Sequence, residues 1–99
     1  MALARYGFIV KGPDLELIKH HGRIKTELFD MAVSGVQNVE EAMLVAQELL
    51  TKRVQLIELC GAFSAEEADR IREAVNDQVP VGRVQYSEAE RERLQREFG

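Results

Sequence analysis

A glutamate and the chain's single cysteine lie close together in one apolar segment, residues 54–60. Glu58 and Cys60 are two residues apart, so their side chains share one face if the segment is a strand. Apolar surroundings can raise the pKa of a carboxylate into the range of a general base, and a thiol can act as a nucleophile or an acid. The pair would suit the chemistry of a small isomerase or lyase.

Both residues also have ordinary structural explanations. The turn after Cys60 leads into a predicted helix, whose positive end favours a thiolate, but a lone cysteine at a strand end is most often a small buried residue. Glu58 equally fits a structural ion pair, with Lys11 at the end of a neighbouring strand as its partner. The sequence therefore leaves open whether this pair is catalytic.

The turn that follows Cys60 is a second candidate site. Its residues are Gly61, Ala62, Phe63 and Ser64. Backbone amides in such a turn can form a nest for an anion at the start of a helix. The turn lacks the lysine and the spacing of a P-loop, and it is not a G-x-G-x-x-G motif. An ordinary strand-to-helix turn explains the same residues, so a site for a small or anionic ligand is a hypothesis here.

Strands and helices that position these residues are predicted to alternate as β-α-β-α-β-α-β-α. Apolar and β-branched runs predict strands over residues 6–11, 25–33, 54–60 and 79–86. Helices are predicted over residues 14–21, 39–53, 65–77 and 87–99. Three of the helix starts have a capping residue, Asn38, Ser64 or Ser87, followed three positions later by a glutamate.

The alternation predicts a single α/β domain over residues 1–99, with a four-stranded, mainly parallel sheet and helices on both faces. The first and third strands are the most apolar, which favours the flavodoxin-like order 2-1-3-4 with these two at the centre. A half-barrel-like (β/α) fragment would give the same pattern and is the alternative. A ferredoxin-like fold fits less well, because it needs a direct hairpin and fewer helices.

The carboxyl ends of parallel strands meet at one edge of a sheet, where α/β proteins bind ligands. We therefore predict one cleft at this edge, with Glu58 and Cys60 as its candidate catalytic residues. Its candidate ligand-binding residues are Lys11, Gly12, Ser34, Gly35, Gly61, Ala62, Phe63 and Ser64. No metal site is predicted, because the adjacent His20 and His21 would point apart on a helix and have no third ligand at a suitable spacing. No particular cofactor is indicated.

Composition excludes several classes of protein. Hydrophobic residues make up 45% and charged residues 30% of the 99 residues, which is an ordinary globular balance. The net charge of −4, with basic residues scattered among acidic ones, argues against nucleic-acid binding. No apolar stretch approaches the roughly 20 residues of a membrane span. A single cysteine cannot form an internal disulfide, so we expect the protein in the reducing cytoplasm.

The chain is expected to form a homo-oligomer, most simply a dimer. A four-stranded sheet leaves two edges, and a domain of this size has little surplus stability. The charged terminal helix over residues 87–99 carries a narrow apolar stripe of Leu94 and Phe98. An assembly or regulatory subunit is therefore a third functional hypothesis, beside the ligand-binding module and the enzyme.

Several motifs resemble those of a family of small uncharacterised bacterial and archaeal α/β proteins, a domain of unknown function. The most distinctive is Ile57-Glu58-Leu59-Cys60-Gly61-Ala62-Phe63. The others are Phe8-Ile9, Gly35-Val36, Glu40-Glu41-Ala42 and Val79-Pro80-Val81-Gly82. The sequence departs from the family's pattern around residues 20–23 and after Tyr86. The resemblance implies an α/β fold over most of the chain and no particular activity.

Overall fold

Five strands and three helices follow one another in residues 3–99, the part of the chain that the computed structural model describes. They are β1 (Arg5–Lys11), β2 (His21–Lys25), β3 (Asp30–Val36), α1 (Val39–Thr51), β4 (Ile57–Leu59), α2 (Ala65–Ala74), β5 (Val81–Arg83) and α3 (Glu88–Phe98). Residues 1 and 2 of the predicted domain lie outside this range. No helix in the described range is long and apolar enough to cross a bilayer.

The strands form one open sheet in the order β2-β3-β1-β4-β5. Strand β2 runs antiparallel to β3, and all other neighbours are parallel. The predicted α/β class and the mainly parallel sheet are confirmed. The prediction of four strands in the order 2-1-3-4 does not match, because β2 adds a fifth strand at one edge. The four parallel strands keep the predicted order among themselves.

The helix predicted over residues 14–21 is wrong. Its place is taken by a single turn, in which the amides of Lys19 and His20 donate to the carbonyl of Glu16, and then by β2. An isolated helix of this length is marginal, because few hydrogen bonds offset the entropy of nucleation. Leu15 packs against Gly12 and Gly35 instead, and Ile18 is left exposed. The segment therefore contributes a hairpin strand to the sheet and no helix.

Helices α1 and α2 end earlier than the pattern predicts. Arg53 follows the cap of α1 and Asn76 follows the cap of α2, with φ values of 60° and 53°. These residues adopt the left-handed conformation that commonly ends a helix, although neither is a glycine. Strands β4 and β5 are also shorter than predicted, and β3 begins five residues later than the strand predicted from residue 25.

Both α1 and α2 pack on the same face of the sheet, so the prediction of helices on both faces is wrong. The connections β3-α1-β4 and β4-α2-β5 cross the sheet in the same direction, and right-handed crossovers then place both helices on one side. The connection from β1 to β3 runs the other way and would have placed a helix on the opposite face. That connection contains the turn and β2 in place of a helix.

The hydrophobic core lies entirely between the sheet and these two helices. Along β1, Gly7 and Ile9 are buried against the helices, whereas Tyr6, Phe8 and Val10 are only half-buried. We call the other side of the sheet the open face, formed by the strand positions Tyr6, Phe8, Val10, Gly22, Ile24, Met31, Val33, Gly35, Glu58 and Gly82. None of the fully buried hydrophobic side chains belongs to it.

The three predicted helix caps are confirmed. Asn38 accepts from the Glu41 amide at 2.9 Å, and Ser87 accepts from the Glu90 amide at 3.3 Å. Ser64 forms a complete capping box: its hydroxyl accepts from the Glu67 amide at 3.1 Å, and the Glu67 carboxylate accepts from the Ser64 amide at 2.9 Å. These bonds satisfy amides at the helix start that have no partner within the helix.

The variant Ser64→Ala is expected to lower the free energy of unfolding by about 1 kcal/mol, because it removes the cap of a helix that packs on the core. Ser87→Ala is the matched control, since it removes the cap of α3, which has no buried residue. Chemical denaturation followed by circular dichroism compares the two. An unchanged midpoint and slope for Ser64→Ala would show that the cap does not stabilise the fold.

Candidate functional site

Lys11 lies at the carboxyl end of β1, and its side chain is on the side of the sheet that α1 and α2 cover. Its ammonium donates to both carboxylate oxygens of Glu67, at 2.8 and 3.0 Å, and lies 5.2 Å from the centre of the Phe63 ring. Both side chains of this ion pair are mostly buried, with 21% and 25% of their surface exposed. The ion-pair partner of Lys11 is therefore Glu67 rather than Glu58.

Glu58 lies on the open face, opposite Phe8 on β1 and Gly82 on β5. It is half-buried, and no ion pair involves it within residues 3–99. Lys11 is three residues beyond Phe8 and faces the helices. The expectation that Glu58 and Lys11 share one cleft is therefore wrong, and the proposed base role of Glu58 stays a prediction.

Cys60 sits where the carboxyl ends of β1 and β4 meet. Its sulfur accepts from the Lys11 amide at 3.3 Å, and its own amide donates to the Ile9 carbonyl at 3.1 Å. The side chain is half-buried and packs against the hydrophobic core. These contacts match the simple structural explanation for a lone cysteine, and a catalytic role for the thiol stays a prediction.

The other predicted ligand-binding residues do not gather around Cys60. Gly12 and Gly35 both lie beneath Leu15, and a Cβ on Gly35 would approach the His20 carbonyl at 3.0 Å. Ser34 faces a different groove, described below. The segment that replaces the predicted helix thus covers Gly12 and Gly35 at the ends of β1 and β3, whereas the end of β4 contacts β1 directly through Cys60 and Lys11.

Two backbone amides of the turn over residues 61–64 already donate hydrogen bonds within the protein. The Phe63 amide donates to the Cys60 carbonyl at 3.2 Å, and the Ser64 amide is bound within the capping box. The Phe63 side chain is only 1% exposed, so it is a core residue and does not face a ligand. The segment therefore fits an ordinary strand-to-helix turn better than an open anion nest.

Gly61 borders a small pocket that the sequence alone does not indicate. The pocket, here called the arginine pocket, has a volume of about 200 Å³ and is lined by Gly61, Arg83, Val84, Gln85, Tyr86 and Arg91. It lies at the carboxyl edge of β4 and β5, which is the edge that the sequence predicts for a site. A Cβ on Gly61 would lie 2.8 Å from the Tyr86 hydroxyl, so only glycine lets this ring approach the turn.

The arginine pocket carries two guanidinium groups without a carboxylate partner. Within residues 3–99, no acidic side chain lies within 4.0 Å of Arg83 or Arg91. Arg83 is half-buried and donates to the Phe63 carbonyl at a long 3.4 Å. Arg72, the other half-buried arginine, binds Asp69 at 2.6 Å and the Val81 carbonyl at 3.0 Å. Arg83 is thus half-buried and has no carboxylate partner within residues 3–99, whereas Arg72 has one.

A larger groove of about 600 Å³ lies between α1 and the β2-β3 side of the sheet. It exists because neither helix extends over β2, and its floor includes Ala32, Val45 and Leu49. The charges on its rim are largely neutralised within the protein. Arg23 forms two hydrogen bonds with Asp30, which hold the pKa of that carboxyl below its usual value. Glu48 and Lys52 form an ion pair at 3.4 Å.

The histidines form local bonds. His20 Nδ1 accepts from the Glu16 amide at 2.8 Å, and His21 Nε2 lies 3.1 Å from the Ile18 carbonyl. In the part of the chain that the structure describes, no three histidine, cysteine, aspartate or glutamate side chains are placed to hold a metal ion.

The pair of Lys11 and Glu67 predicts a measurable pH dependence. Hydrogen bonds from the Lys11 ammonium and the Ser64 amide hold the pKa of Glu67 below its usual value. A carboxyl whose pKa is lower in the folded state stabilises the fold above its unfolded pKa, near 4.3, and loses this effect as the pH falls through the native pKa. Glu67→Gln is therefore expected to lose less stability than the wild type between pH 6 and pH 3 in urea titrations.

The matched control for this prediction is Glu66→Gln, which removes an exposed charge on the same helix turn. It is expected to leave the acid dependence as it is in the wild type. Equal slopes for the wild type and Glu67→Gln would show that the ion pair does not contribute to acid sensitivity.

The fold and these sites define a small two-layer α/β domain with an open, mainly parallel sheet and a cationic pocket at its carboxyl edge. The chain belongs to the family of unknown function DUF6506, whose model matches residues 4–99. The resemblance noted from the sequence, to an uncharacterised α/β family, is thereby confirmed. No curated protein and no solved structure shows significant similarity to this chain.

Proposed function

We propose that the protein binds a small anion, a phosphate or a carboxylate, in the arginine pocket. The observation that carries the proposal is Arg83, a half-buried arginine whose guanidinium donates one long hydrogen bond, to the Phe63 carbonyl. Removing a charge from water is costly unless an opposite charge or good hydrogen bonds replace the solvent. A bound anion would supply both.

Two arginines on one pocket also suit the shape of such a ligand. A guanidinium presents parallel N–H groups that match the two oxygens of a carboxylate or phosphate, and such charged hydrogen bonds are stronger than neutral ones. Arg83 comes from the end of β5 and Arg91 from α3, so an anion between them would tie the terminal helix to the sheet. The Tyr86 hydroxyl lies at Gly61 beside them and can donate a further bond.

The volume of the arginine pocket limits the size of the ligand. A volume of about 200 Å³ admits inorganic phosphate or a small organic acid. It lies below the roughly 300–1,000 Å³ of pockets that enclose larger ligands. We therefore propose a small phosphate or carboxylate, or the acidic end group of a longer molecule that otherwise extends into solvent.

Titration calorimetry with inorganic phosphate and with citrate tests this function. Removing one charged hydrogen-bonding partner costs about 1.5–3 kcal/mol, so Arg83→Gln and Arg91→Gln should each weaken binding by about 10- to 100-fold. Arg96→Gln is the matched control, since Arg96 lies on the same helix but does not line the pocket. Equal weakening by all three variants, or no saturable binding by the wild type, would contradict the proposal.

The catalytic hypothesis for Glu58 and Cys60 gains no specific support from the geometry. The thiol is engaged by the Lys11 amide, and the carboxylate lies among apolar residues of the open face. The hypothesis of an assembly subunit is taken up below, where a different surface carries it.

A further inference from the structure

The open face is the most unusual surface of this fold. Parallel sheets are normally covered on both faces, because side chains on both sides are apolar. Here the fully buried hydrophobic residues all lie on the helix side. Tyr6, Phe8, Val10, Met31 and Val33 remain half-buried on the other side.

Parts of this face are covered within residues 3–99. The Phe29 ring, in the loop between β2 and β3, lies edge-on to the Tyr6 ring, with the ring centres 5.7 Å apart. The segment between β1 and β2 reaches only the end of the face, where Leu15 lies over Gly12 and Gly35. Helix α3 has no buried residue, and its Leu94 and Phe98 are 42% and 81% exposed. The apolar side chains between β2 and β4 therefore keep part of their surface exposed in a single chain.

We infer that the open face is the interface of a homodimer, in which the sheets of two copies pack face to face. Glu58 is the one charged residue at the strand positions of this face. A surface with so little charge does not suit nucleic acid or a charged peptide, whereas an apolar patch can pair with its own copy about a two-fold axis. Face-to-face packing of sheets about 10 Å apart is a common way to bury such surfaces.

The area of the open face limits the strength of the dimer. The five strands have 7, 5, 7, 3 and 3 residues, and at about 3.3 Å per residue and about 4.8 Å between strands they give a flat footprint of about 400 Å². This is below the roughly 800 Å² per partner of a standard interface and fits a weaker dimer that forms as the protein concentration rises. The estimate uses the open face alone and does not depend on α3.

The shape of the open face would also let two copies fit together. One row across the sheet reads Gly22, Val33, Phe8, Glu58 and Gly82. A Cβ placed on Gly22 or Gly82 would meet no atom within 4 Å, so both ends of the row are hollow. Phe8 and its neighbour Tyr6 form a central ridge. Two-fold packing would let the aromatic ridge of one copy approach the hollows of the other.

Sedimentation equilibrium at concentrations up to 100 µM tests the dimer, with no anion present. The wild type is expected to show the mass of two 11.2 kDa chains. Gly22→Arg fills a hollow without touching the monomer, and Val33→Asp places a charge at the centre of the face. Both are expected to weaken dimerisation at least tenfold, while Leu28→Asp, at a site 85% exposed and off the face, is expected to leave it unchanged.

Glu58→Gln provides a variant with the opposite expected effect. Burying a carboxylate without a partner opposes association, so removing its charge should strengthen the dimer several-fold. If circular dichroism shows that Val33→Asp does not fold, the dimerisation of Gly22→Arg and Glu58→Gln is compared with that of the wild type instead. A wild type with the mass of one chain at 100 µM would overturn the inference. A dimer that none of these variants changes would overturn it as well, because its interface would then lie elsewhere.

Discussion

Replacing Phe63 with alanine is expected to lower the free energy of unfolding by about 3–5 kcal/mol. The ring is 1% exposed and is the largest fully buried side chain in the core. It lies between the sheet and α2 and supports the Lys11 ammonium on its face. Truncation leaves a cavity in a domain whose total stability is typically 5–15 kcal/mol, so the loss is a large fraction.

Phe98→Ala is the matched control for this variant. Its ring is 81% exposed, so removing it is expected to change stability by less than about 0.5 kcal/mol. Urea denaturation of both variants and the wild type gives the comparison. A similar small loss for both would mean that Phe63 is not part of the core.

Gly7→Val is expected to destabilise the protein by about 1–3 kcal/mol through overpacking. A Cβ on Gly7 would overlap Leu49 Cδ1 and lie 3.0 Å from Leu49 Cδ2. Leu49 is 4% exposed and belongs to the core of α1, so it has little room to move. The glycine therefore allows α1 to approach β1 closely.

Two further variants separate overpacking from a general effect of losing glycine. Gly22→Val places the same side chain in a strand with no atom within 4 Å of its Cβ, and it is expected to cause no loss at a protein concentration low enough for the chains to be monomeric. The double variant Gly7→Val/Leu49→Ala restores space, so its loss should be smaller than the sum of the single losses. Additive losses would show that the contact between these residues is not the cause.

The parts of the fold that could be predicted from sequence are those with strong local signals. Asn38, Ser64 and Ser87 mark helix starts by their own side chains, and all three caps are confirmed. The helix ends are harder to predict, because Arg53 takes a left-handed conformation that arginine rarely adopts, although Asn76 is a residue type that tolerates it. The segment over residues 14–21 is too short for its apolar pattern to distinguish a helix from a turn and a hairpin strand.

The sequence predicts the edge of the sheet at which the candidate site lies, but not the residues that form it. The carboxyl edge follows from the parallel topology, and Gly61 lies at the arginine pocket. Arg83 and Arg91 meet there because of the direction in which the chain leaves β5, which no local pattern specifies. Glu58 and Lys11 lie on opposite faces because Glu58 is in register with Phe8, and the sequence alone does not give the register between β1 and β4.

A spectrum of the ¹⁵N-labelled protein, recorded during a titration with inorganic phosphate, tests the anion site most directly. The account predicts saturable shifts of the Gly61 amide and of the side-chain Nε signals of Arg83 and Arg91, with Arg96 unmoved. Saturation at one common concentration would indicate a single site. Shifts that do not saturate, or that spread evenly over exposed arginines, would contradict the account.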